Sequence, residues 1–304
     1  MDTLTLIKNL ERPESKVDIV LDTDTFNEID DQFAISYMLG NPDKLNVKGI
    51  NAAPFTNNKS SGPKDGMEKS YDEIKKVLSL IPNTEKVPVF KGSESYLKDE
   101  KTPVISPAAE NLAKLAEQYS PEKPLYVASI AAITNIASAI LINPKIIDNI
   151  VIIWLGGHAM HWHDTKEFNL YQDVAAARII FGCGAPVVQL PCMGVVSGFT
   201  ISEAELAHWL LGKNKICDYL ARNTIEEASS YAKGKPWTRV IWDVTAIAWL
   251  IDGRFFCERL ERSPIPEYDG FYAYDCRRQF IKYIYHVNRD ALAEDLFNKL
   301  IGLE

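Results

Sequence analysis

The chain has 304 residues, 46% hydrophobic and 24% charged, which is the composition of a globular protein with enough apolar residues for a sizeable core. Its net charge is −8 and no basic block occurs anywhere along it, which excludes a partner held through a phosphate backbone and favours a small, weakly charged ligand. Met1–Lys16 lacks the apolar core of a leader, Leu125–Ile142 is broken by polar residues, and Cys183, Cys192, Cys217, Cys257 and Cys276 show no CxxC spacing; a membrane span, a disulfide framework and a zinc site are therefore not expected, and the cytoplasm is the expected location.

In chain order, short apolar runs predict strands over Val17–Asp22, Leu45–Ile50, Val87–Phe90, Leu125–Ser129, Ile150–Leu155 and Val187–Leu190. Helical periodicity predicts helices over Asp30–Leu39, Gly66–Leu80, Pro107–Gln118, Ala132–Ile142 and Asp173–Phe181, and then over Ser202–Leu211, Ile216–Ala232, Asp243–Ile251 and Arg289–Ile301. This alternation is that of an α/β fold: an open, mostly parallel sheet with helices on both faces. Strands run out after Leu190, so the C-terminal third is expected to be helical, packed on the sheet's edge and rim within one domain, 1–304. Pro54–Pro63 and Ser263–Gly270 read as surface connections.

The most informative segment is Ile19–Ala34. An apolar strand ends in Asp22 and Asp24, two residues apart and so on one side of an extended chain, and Asp30 and Asp31 open the next helix. Either acid of the second pair could simply favour a helix N-terminus. Four carboxylates within ten residues, at the carboxyl end of a strand, repel one another unless a cation neutralises them. Their hard oxygens imply Ca²⁺ or Mg²⁺.

The segment DTDTFNEIDDQFA resembles the DxDPGxDD motif of the inosine/uridine-preferring nucleoside hydrolase family, in a subgroup form two residues longer and without the Pro-Gly. Downstream segments extend the resemblance. Ile133-Thr134-Asn135-Ile-Ala is similar to the family's LTNIA, Leu155-Gly-Gly with Glu167-Phe-Asn169 to its MGG…EFN, and Trp242-Asp243 to its late His-Asp pair. The resemblance implies a nucleoside-hydrolase-like fold and a Ca²⁺-dependent N-ribohydrolase that releases base and ribose, working as a homodimer or homotetramer. It implies that Asp24, Asp31, the Thr134 carbonyl and Asp243 hold Ca²⁺, with Asp24 also the general base toward water. Asp30, Glu167 and Asn169 would grip the ribose hydroxyls, and Asn57 or Asn58, after the second strand, would stand near the attacking water.

Two positions depart from the family. Trp242 stands where many members have a histidine beside the leaving base, and His161 falls, by ungapped count, on a family asparagine. The stretch Gly-Gly-His158-Ala-Met-His161-Trp-His163 therefore becomes the candidate source of a leaving-group contact, with His161 the nominee and Trp242 a stacking surface for the base. Two competitors remain. Asp22-Thr-Asp24 also resembles the first motif of haloacid-dehalogenase-like Mg²⁺ phosphatases, with Asp22 as nucleophile, and the missing histidine would suit a nucleoside- or sugar-binding protein with impaired catalysis.

Overall fold

The computed structural model describes residues 1–303. In chain order its elements are α1 (Thr3–Asn9), β1 (Val17–Thr23), α2 (Asp31–Leu39), β2 (Leu45–Ala52), α3 (Pro63–Ser79), β3 (Val89–Lys91), α4 (Pro107–Leu115), β4 (Leu125–Ser129), α5 (Thr134–Ile142), β5 (Ile150–Leu155), α6 (Phe168–Gln172), α7 (Val174–Gly182) and β6 (Val187–Leu190). There follow β7 (Thr200–Ser202), α8 (Glu203–Trp209), α9 (Lys215–Ala232), β8 (Thr238–Val240), α10 (Val244–Ala248), β9 (Phe256–Arg262), β10 (Ile265–Pro266), β11 (Tyr272–Ala273), β12 (Phe280–Val287) and α11 (Arg289–Ile301).

The main sheet has eight strands in the order β3-β2-β1-β4-β5-β6-β12-β9, parallel except where β9 runs antiparallel to β12. Helices cover both faces because the central strands are apolar on both sides. All six residues of β5 are buried, and along β1 Ile19 and Leu21 enter one apolar cluster while Val20 enters the other. The chain walks outward from β1 to β3, then returns to lay β4 on β1's other side. That reversal leaves a crevice at the carboxyl ends of β1 and β4, where open α/β sheets bind ligands.

All six predicted strands lie within two residues of the observed ones and all nine predicted helices within three, and β4, β5 and β6 have the predicted bounds. The α/β fold class stands, with one correction to its C-terminal third. Helices α8 to α11 are present there, yet β9 and β12 return to extend the main sheet, and β7–β8 and β10–β11 form small antiparallel pairs. Strand β9 was obscured by its charges, Glu258, Arg259, Glu261 and Arg262, which an edge strand tolerates because one side faces solvent. Strand β12 carries Lys282, buried but paired with Glu11 at 2.9 Å and Glu258 at 3.4 Å. No helix among the described residues is long and apolar enough to cross a membrane.

Candidate active site

The crevice holds an open cavity of about 200 Å³ whose lining includes Asp24, Asp30, Asp31 and Asp243. Local backbone explains their aim. Asp30 and Asp243 each occupy the residue before a helix, α2 and α10, yet neither side chain makes a capping hydrogen bond. Helix capping therefore does not account for them, and their carboxylates turn into the cavity. One oxygen each of Asp30, Asp31 and Asp243 lies within 4.8 Å of the others, a cluster able to hold a metal ion. Asp24, at the end of β1, lies in the same cavity, and its Oδ2 is buried without any hydrogen-bond partner.

Electrostatics set these acids apart from ordinary carboxylates. Burial, then repulsion from Asp31, Glu28 and Asp30, holds the Asp24 carboxyl well above the usual range. Asp30 is raised by burial, Glu28 and Asp31, with Arg239 and a backbone N–H opposing; Asp243 is raised by burial and by Asp30, Asp31 and Asp24. Burial pushes Asp31 up to about 7 although Thr23 donates to it at 2.5 Å. Asp31 and Asp243 bring carboxylate oxygens within 4.8 Å of each other, an arrangement that two carboxyl groups sustain only with a proton or a cation between them. The donors are all oxygens, so a hard divalent cation fits.

The other expected residues are placed as follows. Glu167, Asn169 and Trp242 line the cavity. Glu167 also caps α6, accepting from the N–H groups of Asn169 and Leu170, and its Oε2 accepts a third bond from Gly157 at 2.8 Å. Asn169 donates to the Leu155 carbonyl at 3.0 Å, which fixes its amide at the end of β5. Gly157 itself needs to be glycine: its φ is +75°, and a Cβ there would lie 2.1 Å from the Tyr272 hydroxyl.

Three expected residues lie outside the lining. Thr134 is the first residue of α5, so its carbonyl points down the helix toward its own intrahelical partner, and its hydroxyl donates to Asp173 at 2.7 Å. Ile130, four residues earlier at the end of β4, lines the cavity instead, and its carbonyl accepts no hydrogen bond among the described residues. Asn57 donates to Asn27 at 2.7 Å and supports the aspartate loop from behind; Asn58 is exposed outside the cavity. His161 is exposed, beside Gly194, whereas His158 lines the cavity. Ungapped counting nominates His161, whereas the histidine of this loop that lines the cavity is His158.

Asp22 is fully buried, outside the lining, and accepts from Asn135 at 2.8 Å; burial pushes its carboxyl up to about 7. A phosphatase nucleophile must reach its substrate, and Asp22 does not reach the cavity. Asn135 serves the frame: besides Asp22 it holds the Ala52 carbonyl and accepts from Ser93. Sequence reasoning did not single out Asn27, Glu28, Lys166, Phe168, Cys192 and Met193 as lining residues. For Asn27 and Glu28 a signal existed, since they sit in the longer Asp24–Asp30 loop.

A doubly wound sheet with a carboxylate-lined cavity at its switch point defines the class: an α/β enzyme whose site can take a metal ion. A sequence model of the family described as "Inosine-uridine preferring nucleoside hydrolase" matches residues 19–282, and the chain belongs to that family. It is a hydrolase of N-glycosyl bonds. Pyrimidine-specific ribonucleoside hydrolases RihA from Salmonella paratyphi A and Escherichia coli O1:K1 are each 27% identical over 266 residues, covering 78% of this chain and 80% of theirs. Among solved structures, the plant nucleoside hydrolase PpNRh1 superposes with a TM-score of 0.77 at 18% identity, covering 94% of this chain and 99% of its own. The purine-preferring ribonucleoside hydrolase from Gardnerella vaginalis gives 0.76 at 21%, covering 94% and 98%. These two likenesses show the fold.

Proposed function

We propose that the chain hydrolyses ribonucleosides to free base and ribose in a Ca²⁺-dependent reaction, with Asp24 as general base. The observation that carries this reading is the Asp24 Oδ2 atom, buried, unpartnered and in one cavity with Asp30, Asp31 and Asp243. Asp24, Asp31 and Asp243 would hold the ion, and the free carbonyl of Ile130 replaces that of Thr134 as the backbone ligand. Held there, the ion would neutralise these carboxylates and supply Lewis-acid polarisation of a water. Asp24 takes the proton from the water that attacks C1′. Asp30 and Asn169 face the ribose hydroxyls; Glu167, committed to three N–H groups, shapes that wall and has one lone pair left for a hydroxyl. As the C1′–N bond breaks, charge at C1′ develops beside a wall of carboxylates, which favours an oxocarbenium-like transition state. Trp242 offers its ring to the base. We take the working form to be a homodimer or homotetramer, which sedimentation velocity would read directly.

Ribose release from a panel of purine and pyrimidine nucleosides, with p-nitrophenyl riboside as an activated control, tests the reading. Release that EDTA abolishes and Ca²⁺ restores is expected. EDTA-resistant release would overturn the metal's part. Silence on every riboside would overturn the reaction.

A further inference from the structure

The reading above accounts for attack on C1′ but leaves the departing base without a partner, since Trp242 occupies the position where a histidine would stand. The loop after β5 supplies one. His158 lines the cavity, with its side chain 11% exposed. Its backbone is clamped between two strands of loop: Cys192 N–H donates to the Gly157 carbonyl at 2.8 Å, and Ala159 N–H to the Met193 carbonyl at 3.0 Å. The ring is clamped too. Nδ1 accepts from the Met193 N–H at 3.3 Å, so Nδ1 carries no hydrogen and Nε2 carries the ring's only one. The nearest acidic oxygen to Nε2, Asp164 Oδ1, lies at 3.9 Å, beyond hydrogen-bond distance. A donor in fixed orientation therefore lines the cavity without a protein acceptor.

We propose that His158 is a catalytic residue for the leaving group, donating its Nε2–H as a hydrogen bond to an acceptor atom of the departing nucleobase rather than transferring a proton to it. The inference rests on the nucleoside-hydrolase reading of the same cavity. The tautomer excludes a cationic acid: protonating Nδ1 would set its N–H against that of Met193. In the reaction so described, the C1′–N electron pair stays on the base as C1′–O forms with water. Asp24 holds the proton taken from water. The base departs as an anion hydrogen-bonded to His158 and takes its own proton from solvent, to which Asp24 later returns the one it holds. Preorganised donors aimed at developing negative charge stabilise it strongly because they need no reorientation.

Two substitutions separate this role from a structural one, because each amide reproduces one ring nitrogen. His158→Asn places its amide near Nδ1, where its carbonyl oxygen can still accept from Met193, and removes the Nε2 donor. His158→Gln places an N–H near Nε2 and keeps the donor. On inosine and uridine, H158N is expected to lower kcat/KM about 100-fold while H158Q recovers a substantial part of it. On p-nitrophenyl riboside, whose leaving group needs no such donor, both should stay within about threefold of the unsubstituted enzyme. Equal losses on natural and activated substrates, or rescue by Asn but not Gln, would assign His158 to holding the Met193 loop and overturn the proposal. So would full activity of H158N on nucleosides. If the unsubstituted enzyme cleaves no riboside at all, it is the underlying functional reading that fails, and the inference falls with it.

Discussion

The two walls of the cavity are built in different ways. The aspartate wall comes from junctions of regular structure: Asp24 at the end of β1, Asp30 and Asp31 at the start of α2, Asp243 at the start of α10. Each position follows from a strand ending or a helix beginning, and the sheet's switch point draws them together. The opposite wall, with His158, Lys166, Phe168, Met193 and Trp242, comes largely from loops whose mutual placement depends on long-range contacts such as Met193 to His158. The first wall gathers carboxylates at high local density and can hold a cation. The second is apolar, aromatic and basic, and suits a flat leaving group. The carboxylates thus sit at the ends of regular elements, and the aromatic and basic residues sit largely on loops, where binding surfaces vary most readily.

Breaking the aspartate wall should have the largest effect. Asp24→Asn removes the base while keeping the side chain's shape, and turnover of nucleosides and of p-nitrophenyl riboside alike should fall by about 1,000-fold or more, with an unchanged circular dichroism spectrum. Near-normal turnover would remove Asp24 from its role. Next comes the ion itself. Saturating Ca²⁺ should raise the melting temperature of the EDTA-treated protein by about 5 °C or more, and Asp31→Asn should abolish most of that shift. An unchanged shift in D31N would place the ion elsewhere.

The same wall predicts a pH dependence. Asp31, and Asp22 behind it, are raised from 3.8 to about 7 in the folded, ion-free protein. Between those values the native state keeps protons that the unfolded chain releases, so the stability these two groups contribute is fullest below pH 4 and is lost as the pH rises to about 7. Denaturant titrations between pH 4 and 8 should show this fall without Ca²⁺ and a smaller one with it; stability that rises over this window would contradict the assignment.

On the loop wall the effects should be smaller and substrate-dependent. Trp242→Ala should raise KM for nucleosides about 10-fold, and less for ribosides with a small leaving group. A uniform loss of kcat would instead give Trp242 a part in positioning the sugar. His161→Asn should be the quietest change, within about twofold on every substrate, because its ring lies outside the cavity. A strong phenotype there, next to a silent His158, would exchange the two histidines.

By itself the sequence determined the parts that obey local rules. Alternating apolar runs gave β1 and β4 to β6 their bounds because parallel strands buried on both faces leave little choice of residue. Clustered carboxylates were legible because repulsion among them has few physical remedies besides a cation. Only the tertiary structure decided the rest. It showed that Asp30 and Asp243 do not cap their helices and that Glu167 does. It placed Ile130 rather than Thr134 in the cavity lining; Thr134 opens α5, and a residue in the first turn of a helix has its carbonyl directed into the helix. It brought β9 and β12 back to the sheet, since an edge strand's charges and a paired lysine hide the usual apolar pattern. It also chose among three histidines in six residues: which one reaches the cavity depends on hydrogen bonds to a loop more than thirty residues away, and no local spacing encodes that.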